Sequence, residues 1–173
     1  MSLLARMESQ SINLNKQIVN IDILILDAAQ DITKDQNEVS HDVKLLCHNI
    51  YIQELADNKV VLVYADRGRI IQVISNLISN AFNFTKKGFV TITKRIEDGS
   101  VVVSIKDTGS GIDLQILPRL FTKFTTRSEK GTGLGLYICK RIIEAHGGRI
   151  WGENNVDQGA TFSFSLPADL TLR

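Results

Sequence analysis

The sequence contains little of what several classes of protein depend on. Only two prolines and two cysteines, Cys47 and Cys139, occur among its 173 residues. The two thiols lie far apart without metal-ligand spacing, so we expect both to be buried and reduced, as in a cytoplasmic protein. No apolar run reaches the roughly 18–20 residues that a membrane-spanning helix needs. The formal net charge is +1, which excludes a global field that attracts nucleic acid, so any bound anion must be held by a local arrangement.

What remains is the composition of a soluble globular domain, with 43% hydrophobic and 23% charged residues. The length suits one domain with a real core and is short for two. We interpret residues 1–11 as a linker or the frayed end of an upstream element, and residues 12–173 as a single domain.

Hydrophobic periodicity predicts the secondary structure of the first half of the chain. A helical stripe runs from Ile12 to about Asp31, where a polar stretch breaks it. Runs rich in β-branched residues predict strands at Val43–Ile52 and Val60–Tyr64, with a turn at residues 56–59 between them. Asp66 is well placed to cap a second helix that continues to about Phe84.

The second half alternates strands with short helices. In chain order the patterns predict strands Phe89–Ile96 and Val101–Ile105 joined as a hairpin, a short helix near Asp113–Leu117 stopped by Pro118, a helix from Gly133 or Leu134 to His146, and strands Arg149–Glu153 and Ala160–Leu166. Because the hairpins are antiparallel, this order predicts an α+β sandwich with helices on one face of the sheet.

Three asparagines fall on one stripe of the second predicted helix. Asn76, Asn80 and Asn83 are spaced i, i+4, i+7. Asparagine weakens a helix interior because its side chain competes for backbone hydrogen bonds, so three on one stripe suggest a bound ligand. Amide oxygens suit Mg²⁺, and amide nitrogens can donate to phosphate. A solvated polar face is the alternative interpretation of this stripe alone.

Two glycine-containing segments are candidates for nucleotide contact. In Asp107–Ile112, a carboxylate at the end of a strand can accept from an exocyclic amino group such as that of adenine. The segment Lys130–Leu136 leads into a helix, whose free amides form an anion site. Its spacing fits neither a dinucleotide fingerprint nor a P-loop. Each segment alone is also consistent with an ordinary turn or hinge.

A basic loop at residues 119–132 separates these two segments. Its cations are Arg119, Lys123, Arg127 and Lys130, and on a movable loop they could close over a triphosphate. Simple solvation of the charges is the alternative. In the last hairpin, Thr161 could offer a hydroxyl to a base.

In this order the segments resemble the catalytic domain of sensor histidine kinases, in the superfamily that also holds gyrase, heat-shock protein 90 and MutL. The resemblance covers about residues 12–168. It comprises an N box at Asn76–Phe84, a first glycine box at Asp107–Ile112, a phenylalanine box at Leu120–Phe124, a second glycine box at Gly131–Gly135 and a closing glycine strand at Gly159–Phe162.

The resemblance implies ATP and Mg²⁺ as ligands, and a mixed sheet of about five strands covered by about three helices. The metal would be held by Asn80. The nucleotide-binding residues that it implies are Asn76, Asn80, Asn83, Phe84, Asp107, Gly109, Gly111, Lys123, Arg127, Gly131, Thr132, Gly133, Leu134, Gly135 and Thr161.

The resemblance also implies a histidine kinase rather than an ATPase. In the hydrolysing branch a glutamate stands where this chain has Asn76, and an amide cannot act as a base. The family usually has lysine where this chain has Asn83, so that phosphate contact would be weakened or taken over by Lys86 or Lys87. A degenerate kinase acting as a nucleotide-binding adaptor, and a slow ATPase, remain the alternatives.

The acceptor histidine is expected outside this chain. His41 precedes a predicted strand, His48 lies in one, and His146 ends a helix, where an imidazole suits the terminal carbonyls. We expect no autophosphorylation of the chain alone. The implied partners are the protein's own dimerisation domain and a response regulator, but no nucleic acid. Residues 1–11 would be a linker to the dimerisation domain or the end of its helix. We expect this chain to be monomeric and the full-length protein to be a homodimer. We also expect this domain to lie in the cytoplasm, even if the full-length protein is anchored in a membrane.

Overall fold

Three helices lie on one face of a five-stranded sheet in the computed structural model, which describes residues 12–36, 42–48, 50, 60–125 and 132–169. The helices are α1 (Ile21–Gln36), α2 (Arg67–Phe84) and α3 (Gly135–Ala145). Across the sheet the strands are, in spatial order, β2 (Val43–His48), β4 (Gly88–Glu97), β5 (Ser100–Asp107), β7 (Ala160–Pro167) and β6 (Arg149–Asn154). A separate antiparallel pair joins β1 (Gln17–Asn20) to β3 (Leu62–Ala65).

The predicted fold class is confirmed. The β2–β4 pair is parallel and the other pairs of the main sheet are antiparallel, so the sheet is mixed and mostly antiparallel. Apolar side chains of the helices and of the inner sheet face form one core, and Ile74, Leu77 and Phe164 are fully buried in it. This packing fixes the positions of the loops at the sheet edge.

Several local predictions are confirmed. Asp66 caps α2, since its Oδ1 accepts from the N–H of Arg69 at 3.1 Å. The β4–β5 hairpin turns at Asp98 and Gly99, with φ of 49° and 75°, the two left-handed residues that a tight hairpin favours. Gly147, with φ of 76°, ends α3 by donating to the carbonyl of Glu144 at 3.0 Å.

The predicted helix over Ile12–Asp31 is wrong at its beginning. Residues 17–20 form β1, and the helix runs instead from Ile21 to Gln36, into the polar stretch that we expected to break it. Asn20 ends the strand, and its Oδ1 accepts from the N–H of Asp22 at 2.9 Å. The apolar stripe therefore serves two elements, because Val19 and Ile21 suit a strand and a helix equally well.

The two predicted strands before α2 are shorter than expected and belong to different sheets. The first, β2, pairs in parallel with β4. The second, β3, pairs with β1. The turn predicted at residues 56–59 lies outside the described residues.

Two smaller expectations also fail. Pro118 stops no helix; it lies within a 3₁₀ helix, Leu117–Arg119, at a first-turn position where its missing N–H costs nothing. Cys47 is exposed rather than buried. Cys139 is buried as expected, and burial raises the pKa of its thiol to about 12. No helix in the described part of the chain is long and apolar enough to cross a membrane.

Candidate functional site

A cavity of about 670 Å³ opens between the C-terminal half of α2, the loop that follows β5 and the beginning of α3. This volume suits a small-molecule ligand of nucleotide size. Nine of the residues expected at the site line it: Asn76, Asn80, Asn83, Phe84, Asp107, Gly111, Thr132, Gly133 and Gly135. Residues separated by up to 59 positions in the sequence thus line one cavity.

Four of the expected residues that the structure describes are not part of this lining. Gly109, Lys123, Leu134 and Thr161 are absent from it, and Arg127 and Gly131 lie outside the described residues. The structure nevertheless explains why residue 109 is a glycine. A Cβ there would lie 2.2 Å from the carbonyl oxygen of Phe84, so only glycine lets the loop rest directly on the end of α2.

One end of the cavity carries the asparagine stripe. The amide nitrogen of Asn80 donates to the side-chain oxygen of Asn76 at 3.4 Å. Within the described part of the chain, the Asn80 oxygen accepts no hydrogen bond. A hard oxygen in this position fits the ligand preference of Mg²⁺. No group of three or more His, Cys, Asp or Glu side chains that could hold a metal exists in the described ranges.

The beginning of α3 faces the same end. Thr132, Gly133 and Gly135 line the cavity, and no side chain of the described residues caps the helix at Leu134. Amides of the first helical turn have no partner within the helix and carry partial positive charge. This helix end can therefore donate to phosphate oxygens.

The other end of the cavity carries the Asp107 carboxylate. This residue is only 3% exposed. Its Oδ1 accepts from the backbone N–H groups of Gly109 at 2.8 Å and Ala160 at 3.3 Å. Burial raises the pKa of Asp107, although the two backbone N–H groups oppose the shift. Among the described residues no donor reaches Oδ2, so one strong acceptor remains for a ligand.

An apolar wall that sequence reasoning missed also lines the cavity. Ile116, Leu120, Leu136 and Phe162 line it, and they suit the faces of a planar ring. Alternation along β7 could have identified Phe162, because Ala160 and Phe162 face the cavity together. The same alternation directs Thr161 to the opposite face, where its hydroxyl donates to Asn155 Oδ1 at 2.6 Å.

Basic side chains are absent from the described cavity wall. Lys123 instead lies over the ring of Tyr137, with its ammonium 5.2 Å from the ring centre. Lys86 and Lys87 are exposed and are not among the residues that line the cavity. The acids in the wall are Asp107 and Asp113. The charged side chains of the described wall are therefore negative.

Residues 65–170 match the family described as "Histidine kinase-, DNA gyrase B-, and HSP90-like ATPase". Sensor protein FixL of Bradyrhizobium diazoefficiens is 41% identical over 124 residues, which are 69% of this chain and 25% of FixL. Sensor protein SrrB of Staphylococcus aureus is 37% identical over 170 residues, 94% of this chain and 27% of SrrB. The chain thus spans about a quarter of the length of these relatives.

Two solved structures share the fold. Full-length ShkA in complex with AMPPNP superposes with a TM-score of 0.77 at 30% identity, over 95% of this chain and 33% of ShkA. The nucleotide-free catalytic domain of histidine kinase ThkA gives a TM-score of 0.74 at 32% identity, over 89% of this chain and 96% of that domain.

Proposed function

This chain belongs to the family of histidine kinase-, DNA gyrase B- and HSP90-like ATPases, as a domain homologous to those of sensor histidine kinases, and we propose that it binds ATP and transfers the γ-phosphate to a histidine. The acceptor histidine would lie on a separate dimerisation domain, and a response regulator would receive the phosphate afterwards. The single observation that carries the proposal is the buried Asp107 carboxylate, with one oxygen open to a nucleotide-sized cavity.

Asp107 supports adenine as the base. An ionised carboxylate only accepts hydrogen bonds, so it favours a base that presents an amino group and disfavours one that presents a carbonyl. The adenine ring would lie against the apolar wall formed by Ile116, Leu120 and Phe162. Phe84, which is 51% exposed, would flank the base at the cavity mouth.

The opposite end supports a metal-bound triphosphate. Asn80 would hold Mg²⁺ through its amide oxygen, with Asn76 and Asn83 beside the phosphates. Mg²⁺, when bound, neutralises phosphate charge and orients the γ-phosphate for attack. The amides at the beginning of α3 would donate to phosphate oxygens, and Lys123 and Arg127 would approach from the basic loop.

Phosphate transfer is favoured over hydrolysis. Asn76, at the position where the hydrolysing branch carries glutamate, cannot activate water as a base. The described histidines do not suit the acceptor role, because His48 lies in strand β2 and His146 is buried at the C-terminal end of α3. Alignment by a separate acceptor domain would then decide where the phosphate goes.

An ATP titration with and without Mg²⁺, followed by isothermal calorimetry, tests the nucleotide site. Binding of ATP is expected, with affinity that rises when Mg²⁺ is added. Asn80→Ala should abolish that rise. Gln72→Ala, on an exposed turn of the same helix, should retain it and serves as the matched control. A folded protein that binds no adenine nucleotide would refute the proposal.

A second assay separates the kinase from its two alternatives. With γ-labelled ATP and an intact acceptor-helix domain supplied in trans, a kinase labels a histidine of that domain. A degenerate adaptor, which Asn83 and the absence of basic residues from the described wall would favour, binds ATP and labels nothing. An ATPase releases phosphate steadily with no acceptor present.

A further inference from the structure

The turn between β6 and β7 is joined to both ends of the loop that carries Asp107. At the far end, the Asn154 amide makes two hydrogen bonds with the backbone of Ile112: it accepts from the N–H at 2.6 Å and donates to the carbonyl at 2.8 Å. At the near end, Asn155 Nδ2 donates to the carbonyl of Asp107 itself at 3.0 Å. Two adjacent asparagines therefore bracket the loop.

Asn155 supplies a contact that the sheet does not. The β5–β7 register ends at the pair Lys106 and Thr161, one residue before Asp107. Strand β4 pairs Asp107 on its other edge, opposite Val90. The Asn155 amide thus holds the Asp107 carbonyl on the side where strand pairing has stopped, and it fixes the peptide unit next to the carboxylate.

Thr161 fixes the orientation of the Asn155 amide. The Thr161 hydroxyl donates to Asn155 Oδ1 at 2.6 Å, while Asn155 Nδ2 also donates to the carbonyl of Gln158 at 2.8 Å. If the amide were flipped, its oxygen would face two carbonyl oxygens and lose both hydrogen bonds. The two carbonyls therefore select the orientation of the amide, and the Thr161 hydroxyl holds its oxygen in the position from which Nδ2 reaches Asp107.

We propose that Thr161 and Asn155 are positioning residues for base recognition: they orient Asp107 towards the 6-amino group of adenine without touching the nucleotide. The inference rests on the proposed ATP site and adds the determinant of its base selectivity. Misplacement of a carboxylate by a fraction of an ångström weakens its hydrogen bond to the base. It leaves the phosphate contacts, at the opposite end of the cavity, unaffected.

Base selectivity provides the readout that a general loss of stability would not change. The dissociation constants of Mg²⁺-ATP and of Mg²⁺-purine riboside triphosphate, which lacks the 6-amino group, are measured by calorimetry for the unaltered chain and for two variants. In the unaltered chain the analogue should bind about 10- to 150-fold more weakly than ATP, the range for one hydrogen bond to a charged group.

In Asn155→Ala and in Thr161→Val, ATP should bind about 5- to 10-fold more weakly while binding of the analogue scarcely changes. Thr161→Ser keeps the hydroxyl and should keep the selectivity, so it is the matched control. Thermal unfolding identifies a variant that fails to fold. If Asn155→Ala does not fold, Thr161→Val decides the question, because valine is nearly isosteric with threonine and the site is half-buried.

Two adverse results are distinguishable. If the unaltered chain binds ATP selectively and folded variants weaken both nucleotides equally, the positioning role is refuted while the ATP site stands. If the unaltered chain binds neither nucleotide, the proposed function fails and this inference fails with it.

Discussion

Two aspartates are buried almost equally deeply in this molecule, but they differ in whether a positively charged side chain lies beside the carboxylate. Asp22, fully buried at the beginning of α1, has the ammonium of Lys94 on β4 at 2.7 Å. Asp107, 3% exposed at the end of β5, receives only backbone N–H groups among the described residues. The charge of Asp22 is balanced within the fold, whereas that of Asp107 is not. A buried carboxylate that the described part of the fold leaves uncompensated is a candidate for a functional site.

The largest effect is expected from breaking the internal pair. Asp22→Ala leaves the Lys94 ammonium buried without its carboxylate, and we expect a loss of about 3–5 kcal/mol in the free energy of unfolding. Urea denaturation followed by circular dichroism measures it. The double variant Asp22→Leu with Lys94→Met removes both charges and should come within about 1 kcal/mol of the unaltered protein. Equal losses in the single and double variants would show that packing, not the charge pair, determines the cost.

Asp107→Asn should give the opposite result. The amide oxygen can still accept from Gly109 and Ala160, so the free energy of unfolding should stay the same or rise, since a desolvated charge is removed. ATP should bind about 10- to 150-fold more weakly, because the amide nitrogen would face the amino group of adenine. Calorimetry and urea denaturation of the same sample check both halves. Weak binding accompanied by a clear loss of stability would contradict the comparison.

The raised pKa of Asp107 predicts the pH dependence. Its pKa lies above the ordinary 3.8 in the folded chain, so the folded state keeps the proton at a pH where the unfolded state has lost it. Stability from this group is therefore present in acid and is lost as pH rises through the folded pKa. The excess stability of Asp107→Asn should grow over the same interval and then become constant. ATP affinity of the unaltered chain, relative to the variant, should fall as Asp107 takes up its proton.

A smaller effect is expected at Asp66, whose titration has the opposite sign. Burial would raise its pKa, but the N–H groups of Asn15 and Arg69, with nearby positive charge, hold the pKa below 3.8. Asp66→Ala removes the cap of α2 and should cost about 1 kcal/mol at neutral pH. The cost should disappear in acid, as pH falls through the depressed pKa. Asp66→Ser retains a capping oxygen and should recover most of the stability, which urea denaturation at two pH values can determine.

The exposed pair between Arg67 and Asp27 gives the smallest effect. Both side chains are more than one third exposed, so solvent screens their attraction. Asp27→Ala should change the free energy of unfolding by less than about 1 kcal/mol. Thermal unfolding in low and high salt suffices as the measurement. A loss comparable to that of Asp22→Ala would mean that burial does not account for the difference between these carboxylates.

Sequence patterns predicted the elements whose causes are local. The cap at Asp66, the length of α2 and the turn at Asp98 each depend on residues within a few positions, and each is confirmed. The boundary between β1 and α1 at Asn20 was missed, because the apolar residues around it are compatible with both a strand and a helix. The parallel pairing of β2 with β4 was also missed, since strand propensity contains no information on pairing partners.

The candidate site shows the same limit. Asn76, Asn80 and Asp107 were selected for their chemistry, and the structure places them around one cavity, although their ligand roles remain proposals. The contact of Asn154 with Ile112 spans 42 positions, and no short motif signals it. Thr161 was selected as a direct contact, yet its hydroxyl is turned to Asn155 by the strand pleat.

Strand β3 has a mechanical consequence. It pairs with residues 17–20 on one edge, and on the other Val63 bridges to Ala168 while Asp169 donates to Leu62 at 2.8 Å. Two segments about 150 positions apart are thus fastened to one short strand, and Asn80 lies about 20 Å along α2 from it. A pull on either segment would therefore act first on the hydrogen bonds of β3, which lie away from the cavity.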